Sequence, residues 1–119
     1  MPVTDINQFH AGFVAAFNAR DVEGLLEFYE EGAVFVARPG TVVEDAGGLR
    51  QAIENFVGSG FDLRLDTKDL LVKGDLALLR GNWKLLSGDM VMMSGESLEV
   101  ARRQADGSWK YAIDNPFGA

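Results

Sequence analysis

Residues 61–113 read FDLRLDTKDLLVKGDLALLRGNWKLLSGDMVMMSGESLEVARRQADGSWKYAI, and this stretch decides the fold. Four strand-like runs, 61–72, 76–86, 90–103 and 108–113, are separated by Lys73-Gly74-Asp75, Ser87-Gly88-Asp89 and Ala105-Asp106-Gly107. Short Gly/Asp links between alternating runs are hairpin turns, so adjacent strands are antiparallel. In the first run Leu63 and Leu65 share one phase while Leu70 and Val72 share the other. That switch predicts a bulge or bend near Asp66–Asp69, the kind of break a strongly curved sheet uses.

Working outward, the first third reads as helical. Thr4 is a candidate N-cap for a helix to about residue 19, with Phe9, Phe13 and Phe17 recurring every four residues. Asp21 caps a second, shorter helix with Leu25 and Tyr29 inward and Gly32 past its end. Residues 33–37 form an apolar strand, and Pro39-Gly40 turns it into a short return at 41–43. Asp45 caps a third helix whose Leu49, Ala52, Ile53 and Phe56 share one face. The order is α-α-β-β-α-β-β-β-β. Helices gathered on one side of a curved, mostly antiparallel sheet make an α+β fold.

The 119 residues form one domain, with a net charge of −7 and 47% hydrophobic residues. The apolar content excludes disorder. The absence of cysteine excludes disulfide frameworks, thiolate metal sites and a cysteine nucleophile. The acidic balance argues against nucleic acid as a partner. No apolar run is long enough for a membrane helix, and Met1-Pro2-Val3-Thr4-Asp5 lacks the basic start of a signal peptide, so a cytoplasmic protein is expected. His10, the single histidine, reads as a helix-surface or core-edge residue rather than an acid–base catalyst. One histidine without a carboxylate motif beside it makes no metal site, and no cofactor is expected.

Several local words carry a family resemblance. They are Ala16-Phe17-Asn18-Ala19-Arg20-Asp21, the run from Tyr29 to Phe35, Arg102-Arg103-Gln104-Ala105-Asp106-Gly107-Ser108-Trp109, and the ending Ile113-Asp114-Asn115-Pro116-Phe117. With the element order, they resemble the nuclear transport factor 2-like superfamily over almost the whole chain. Within it they are most similar to the SnoaL-like and ketosteroid-isomerase-like group of small proteins. The resemblance implies a cystatin-like cone, in which a bent sheet wraps the long N-terminal helix and leaves a pocket at its open end. It also implies a homodimer through the outer sheet face. Trp83, Leu79 and Leu85, which share one face of their strand, are the expected dimer surface.

Ketosteroid isomerase chemistry uses an Asp base beside an oxyanion hole of a tyrosine and a protonated aspartic acid. The matching positions here are Arg38 before Pro39 for the base, Phe13 for the tyrosine and Glu99 for the acid. Only Glu99 keeps its chemistry, so isomerisation by that route is not expected.

Arg80, Asn82 and Lys84 alternate with Leu79, Gly81, Trp83 and Leu85. Taken alone, the polar three face either solvent or a pocket. Counting by resemblance from the Ser87-Gly88 turn points them into the cone. The same count points Ala112 and Asp114 inward, opposite Tyr111 and Ile113. The candidate site is then Glu99 and Asp114 as acid–base groups, with Arg80, Asn82 and Arg38 binding a ligand among Phe13, Phe17 and Phe35. Such a set fits a small carbonyl or carboxylate compound. The rival readings are a non-catalytic homodimeric domain with a filled cavity and a protein-interaction module without a ligand.

Overall fold

The computed structural model describes residues 2–118. A 3₁₀ turn, Ile6–Gln8, leads into α1 (Phe9–Asn18), followed by α2 (Val22–Leu26), β1 (Tyr29–Arg38), β2 (Thr41–Val43), α3 (Ala46–Gly58), β3 (Asp62–Lys73), β4 (Leu76–Ser87), β5 (Met90–Arg103) and β6 (Trp109–Asn115). The six strands form one sheet in the order β2-β1-β6-β5-β4-β3. Every neighbouring pair is antiparallel except β1 with β6, which run parallel. The helices pack on the concave side, and the α+β order read from the sequence holds.

The caps explain where the helices begin. Asp5, rather than Thr4, accepts the Asn7 N–H at 3.0 Å, because its carboxylate is the stronger acceptor. It opens the 3₁₀ turn, so α1 starts only at Phe9. Asp21 accepts from Gly24 at 2.9 Å and Asp45 from Gly48 at 2.8 Å, as expected. Gly32 does not end α2. It lies inside β1 at φ +76°, within the irregular stretch where β1 shifts register against β6 between Tyr29 and Val34. Tyr29 accordingly belongs to a strand and not to the second helix.

The word Asn18-Ala19-Arg20-Asp21 acts as a fastener. Asn18 pairs with the Leu63 backbone as a strand would, its Oδ1 accepting at 2.8 Å and its Nδ2 donating at 3.1 Å. Arg20 takes a left-handed φ of +61° after the helix. Its guanidinium donates to the Gly60 and Phe61 carbonyls and to Asp62 Oδ1. One four-residue corner thus ends α1, caps α2 and pins the start of β3.

Besides the irregularities on β1, three bulges on the long strands bend the sheet. Between Thr67 and Asp69 the β3 strand carries one extra residue against β4, which is the phase switch predicted at 66–69. On β5, Met92 is the extra residue between the pairs Leu85–Met93 and Leu86–Val91. On β6, Ala112 is extra between Val100–Ile113 and Ala101–Tyr111. The β6 bulge corrects the inward count for that strand. Tyr111 and Asp114 both face the core, although they are three positions apart, an offset that puts residues of a regular strand on opposite faces.

Strand β4 also turns opposite to the count made by resemblance. Leu79, Trp83 and Leu85 are buried with Gly81. Asn82 and Lys84 are exposed and Arg80 is half-buried on the convex side. The larger apolar set takes the covered face because its burial is worth roughly 25 cal/mol per Å². Trp83, Leu79 and Leu85 therefore belong to the core and not to a dimer surface.

Candidate functional site

The concave face, α1 and α3 enclose a cavity with about 70 Å³ open to the centre of a water molecule. One water needs only about 10–15 Å³, so there is room for several waters or a small organic group. The wall is mainly aromatic and aliphatic: Phe13 and Phe17 from α1, Phe35 from β1, Phe56 from α3, Leu63 and Leu65 from β3, and Trp83 from β4. Trp83 fits because it faces Gly95, where a Cβ would come within 2.8 Å of the indole. Its Nε1–H donates to the Pro116 carbonyl at 2.6 Å, and Pro116 closes part of the wall.

Into this apolar lining project two carboxyls, Glu99 and Asp114, each 4% exposed. They are cross-strand partners in the β5–β6 ladder, near enough that the charge of one raises the proton affinity of the other. Each is also held by a phenol. Tyr29 Oη donates to Asp114 Oδ2 at 2.6 Å, and Tyr111 Oη donates to Glu99 Oε2 at 2.9 Å. Behind Glu99, His10 Nε2 lies 2.6 Å from Oε1, and His10 Nδ1 lies 2.7 Å from Thr67 Oγ1. Among the described residues no buried side-chain N or O atom lacks a partner. That is the condition for keeping such a network in a core.

The electrostatics follow from burial. Desolvation, followed by the Glu99 charge, pushes the Asp114 carboxyl well above the usual carboxylate range. Burial first, then the carboxyls nearby, also push the Tyr29 and Tyr111 phenols well above the ordinary tyrosine range. Both phenols therefore stay protonated and act as donors. Two carboxyls in contact within an apolar wall share a proton more readily than they carry two charges. An arrangement of this kind can give one proton to a ligand and take another from it.

Glu99, Asp114, Phe13, Phe17 and Phe35 meet at this cavity. Arg80, Asn82 and Arg38 do not. Arg80 sits on the convex face, paired with Asp69 at 3.0 Å. Asn82 is exposed on the same face. Arg38 is exposed at the β1–β2 turn, where its Nε donates to Thr41. Among the described residues the cavity wall carries no lysine or arginine. Fully desolvating a guanidinium is costly, and these three polar side chains had solvent within reach.

The residues missed in the sequence are His10, Tyr29, Tyr111 and Thr67. His10 had a legible signal, since it stands three and seven residues before Phe13 and Phe17 on one helical face. Tyr111 had none, because its inward turn depends on the Ala112 bulge.

Comparison with known proteins agrees with the fold. Residues 10–112 match the SnoaL-like domain family. A candidate calcium/calmodulin-dependent protein kinase type II association domain from Thiobacillus denitrificans superposes with a TM-score of 0.81 at 17% identity, over 99% of this chain and 98% of the other. An NTF-2 like protein of unknown function from Shewanella oneidensis gives 0.78 at 18% identity, over 92% and 93%. A candidate dehydratase of the NTF2-like family from Streptomyces avermitilis gives 0.72 at 17% identity, over 92% and 90%. No curated protein matches the chain. At these identities the solved structures establish the fold alone, and they carry very different descriptions on it.

Proposed function

The chain belongs to the SnoaL-like family, and from that premise we propose that its cone binds a small, largely apolar molecule bearing an uncharged carbonyl or hydroxyl oxygen. The observation that carries this reading is the pair of buried, adjacent carboxyls on a mainly apolar wall. With Arg80 and Arg38 outside the cavity, a carboxylate ligand loses its counter-charge and would meet two acidic groups. A neutral oxygen instead accepts a hydrogen bond from protonated Asp114. Of the other polar groups on wall residues, the Tyr29 hydroxyl and the Trp83 Nε1–H are already bonded to Asp114 and to the Pro116 carbonyl, and Ser97 adds a hydroxyl, so most of the ligand meets carbon.

The same pair is equipped for acid–base chemistry. In one balanced step, the Asp114 proton passes to the carbonyl oxygen while a proton on the adjacent carbon passes to Glu99. The product is an enol, and the pair has exchanged which member holds the proton. Isomerisation and dehydration both use a step of this type, and the Streptomyces avermitilis relative is described as a candidate dehydratase. Ketosteroid isomerisation by the usual residues is not proposed, because Phe13 and Arg38 stand where the tyrosine and the base would be.

The test is a binding panel of cyclic ketones, the corresponding carboxylic acids and the parent hydrocarbons, followed by the fluorescence of Trp83 in the cavity wall. Ketones should bind, and the carboxylates should bind about tenfold or more weakly, a difference of about 1.4 kcal/mol. Equal binding of ketone and hydrocarbon would remove the carboxyl pair from recognition. A cavity that takes none of the three classes would leave a non-catalytic domain as the better reading.

We also propose that the protein is a homodimer through the convex sheet face. The surface is not the one centred on Trp83. It is the row Leu71, Leu78, Val100 and Ile113, consecutive cross-strand partners over β3, β4, β5 and β6.

A further inference from the structure

We propose that Thr67 and His10 form a proton path that joins the carboxyl pair to solvent from behind, on the side away from the cavity. The inference goes beyond ligand binding. It concerns how the acid regains or loses its proton.

The geometry begins at the surface. Thr67 is exposed on β3, beside the bulge at 67–69. The Cα partner of Thr67 on β4 is Gly81, which has no side chain to cover it. Thr67 Oγ1 is 2.7 Å from His10 Nδ1, and His10 Nε2 is 2.6 Å from Glu99 Oε1. Glu99 in turn is the cross-strand partner of Asp114. His10 is 4% exposed and is absent from the cavity wall, whereas Glu99 is part of it. The imidazole therefore bridges the outer surface and the site without touching a ligand. The titratable groups along the path are Glu99 on β5 and, beyond it, Asp114 and Tyr111 on β6.

Two hydrogen-bond arrangements satisfy every atom on this line. In one, Glu99 carries the proton and donates to Nε2, while Nδ1–H donates to Thr67 Oγ1. In the other, Nε2–H donates to a Glu99 carboxylate, while the Thr67 hydroxyl donates to Nδ1. They interconvert by one proton moving along each bond. Going outward, the Glu99 proton passes to Nε2, the Nδ1 proton passes to Thr67 Oγ1, and the former hydroxyl proton of Thr67 passes to a surface water. Net, one proton leaves Glu99 and one water becomes hydronium. The inward passage reverses each transfer and restores the original tautomer, so the ring need not flip. The competing route runs through a cavity lined by Phe, Leu and Trp side chains, which offers a proton almost no polar stepping stones.

The experiment follows the rate at which the buried carboxylic acid loses its infrared C=O band after an upward pH jump, with Asp114→Asn used to assign the band. His10→Gln keeps a donor toward Glu99 and an acceptor toward Thr67 but cannot pass a proton through. It should slow the loss by about tenfold or more. Thr67→Val should slow it in the same sense, and Thr67→Ser should keep the wild-type rate. A purely structural role predicts the opposite sign, since a loosened core gives the acid faster access to water. Wild-type rates in both His10→Gln and Thr67→Val would overturn the proposal. If His10→Gln fails to fold, the exposed Thr67 pair decides it alone. The readout needs no ligand, so failure of the ketone panel and failure of the proton path are separate results.

Discussion

At the scale of single residues, the site rests on Asp114. A buried carboxyl whose proton affinity is raised binds its proton more tightly folded than unfolded. Its contribution is fully present below the unfolded value near 3.9 and is lost as pH rises toward the folded value, at up to about 1.4 kcal/mol per pH unit. Asp114→Asn removes that loss. Urea melts of the two proteins between pH 4 and 8 should show the wild type falling steadily relative to the variant as pH rises, and parallel curves would contradict the assignment. Asn18 offers a second test. It satisfies both the N–H and the C=O of Leu63, so Asn18→Ala strands two backbone groups at the start of β3. The expected cost is about 1–3 kcal/mol by urea denaturation, and a loss below the error of the melt would reduce the fastener to decoration. These residues also mark how far the chain could be read. Glu99 and Asp114 were reached by counting from the family resemblance, and both lie on the inward face. His10 was passed over because a lone histidine beside Phe9 reads as ordinary core edge, although helical spacing places it with Phe13 and Phe17.

At the scale of elements, period and turn chemistry made the strands legible, while the faces were less so. The four long strands and the bend at 66–69 follow from alternation and from Gly/Asp links. The direction of β4 does not follow from the count by resemblance: the strand alternates unbroken from Leu76 to Leu85 with Leu79, Trp83 and Leu85 inward, and the extra residue at this end of the pair, Met92, lies on β5. Hydrophobic alternation within β4 favoured the observed orientation, and it was the positional analogy that misplaced Arg80 and Asn82. Tyr111 is hidden by the Ala112 bulge, since a bulge is one residue of irregular backbone with little composition of its own. The β4–β5 pair further supplies a test of cavity shape. Gly95 faces Trp83, and a Cβ there would sit 2.8 Å from the ring. Gly95→Ala should displace the indole, break its bond to the Pro116 carbonyl and cost about 1–3 kcal/mol. Red-shifted Trp83 emission together with weakened ketone binding is the expected outcome. Unchanged emission would mean that the wall is plastic at this point.

At the scale of the whole molecule, one layer of helices covers one face of the sheet, and the other face keeps apolar side chains in water. Leu71 is 64% exposed, Leu78 37% and Ile113 42%. With half-buried Val100 they line up across four strands, and Val34 on β1 continues the row as the partner of Ile113. The rows on either side mix Leu98 and Leu76 with charges, Arg80 paired with Asp69 and Arg102 paired with Glu30. An apolar centre inside a charged rim is the anatomy of an interface. A two-fold axis near Leu78 lets the row meet its own copy, so one patch serves both partners. A stable pair of this kind buries about 1,200–2,000 Å² in total, within reach of a six-stranded face. Wild-type protein should therefore sediment as a dimer. Leu78→Glu sets like charges against each other at the axis and should give a folded monomer with an unchanged circular dichroism spectrum. Its cavity should still bind ketones, because Leu78 points away from Glu99 and Asp114. Retention of the dimer in Leu78→Glu would move the interface elsewhere. Loss of ketone binding in a folded monomer would instead couple the convex face to the cavity through the strands they share.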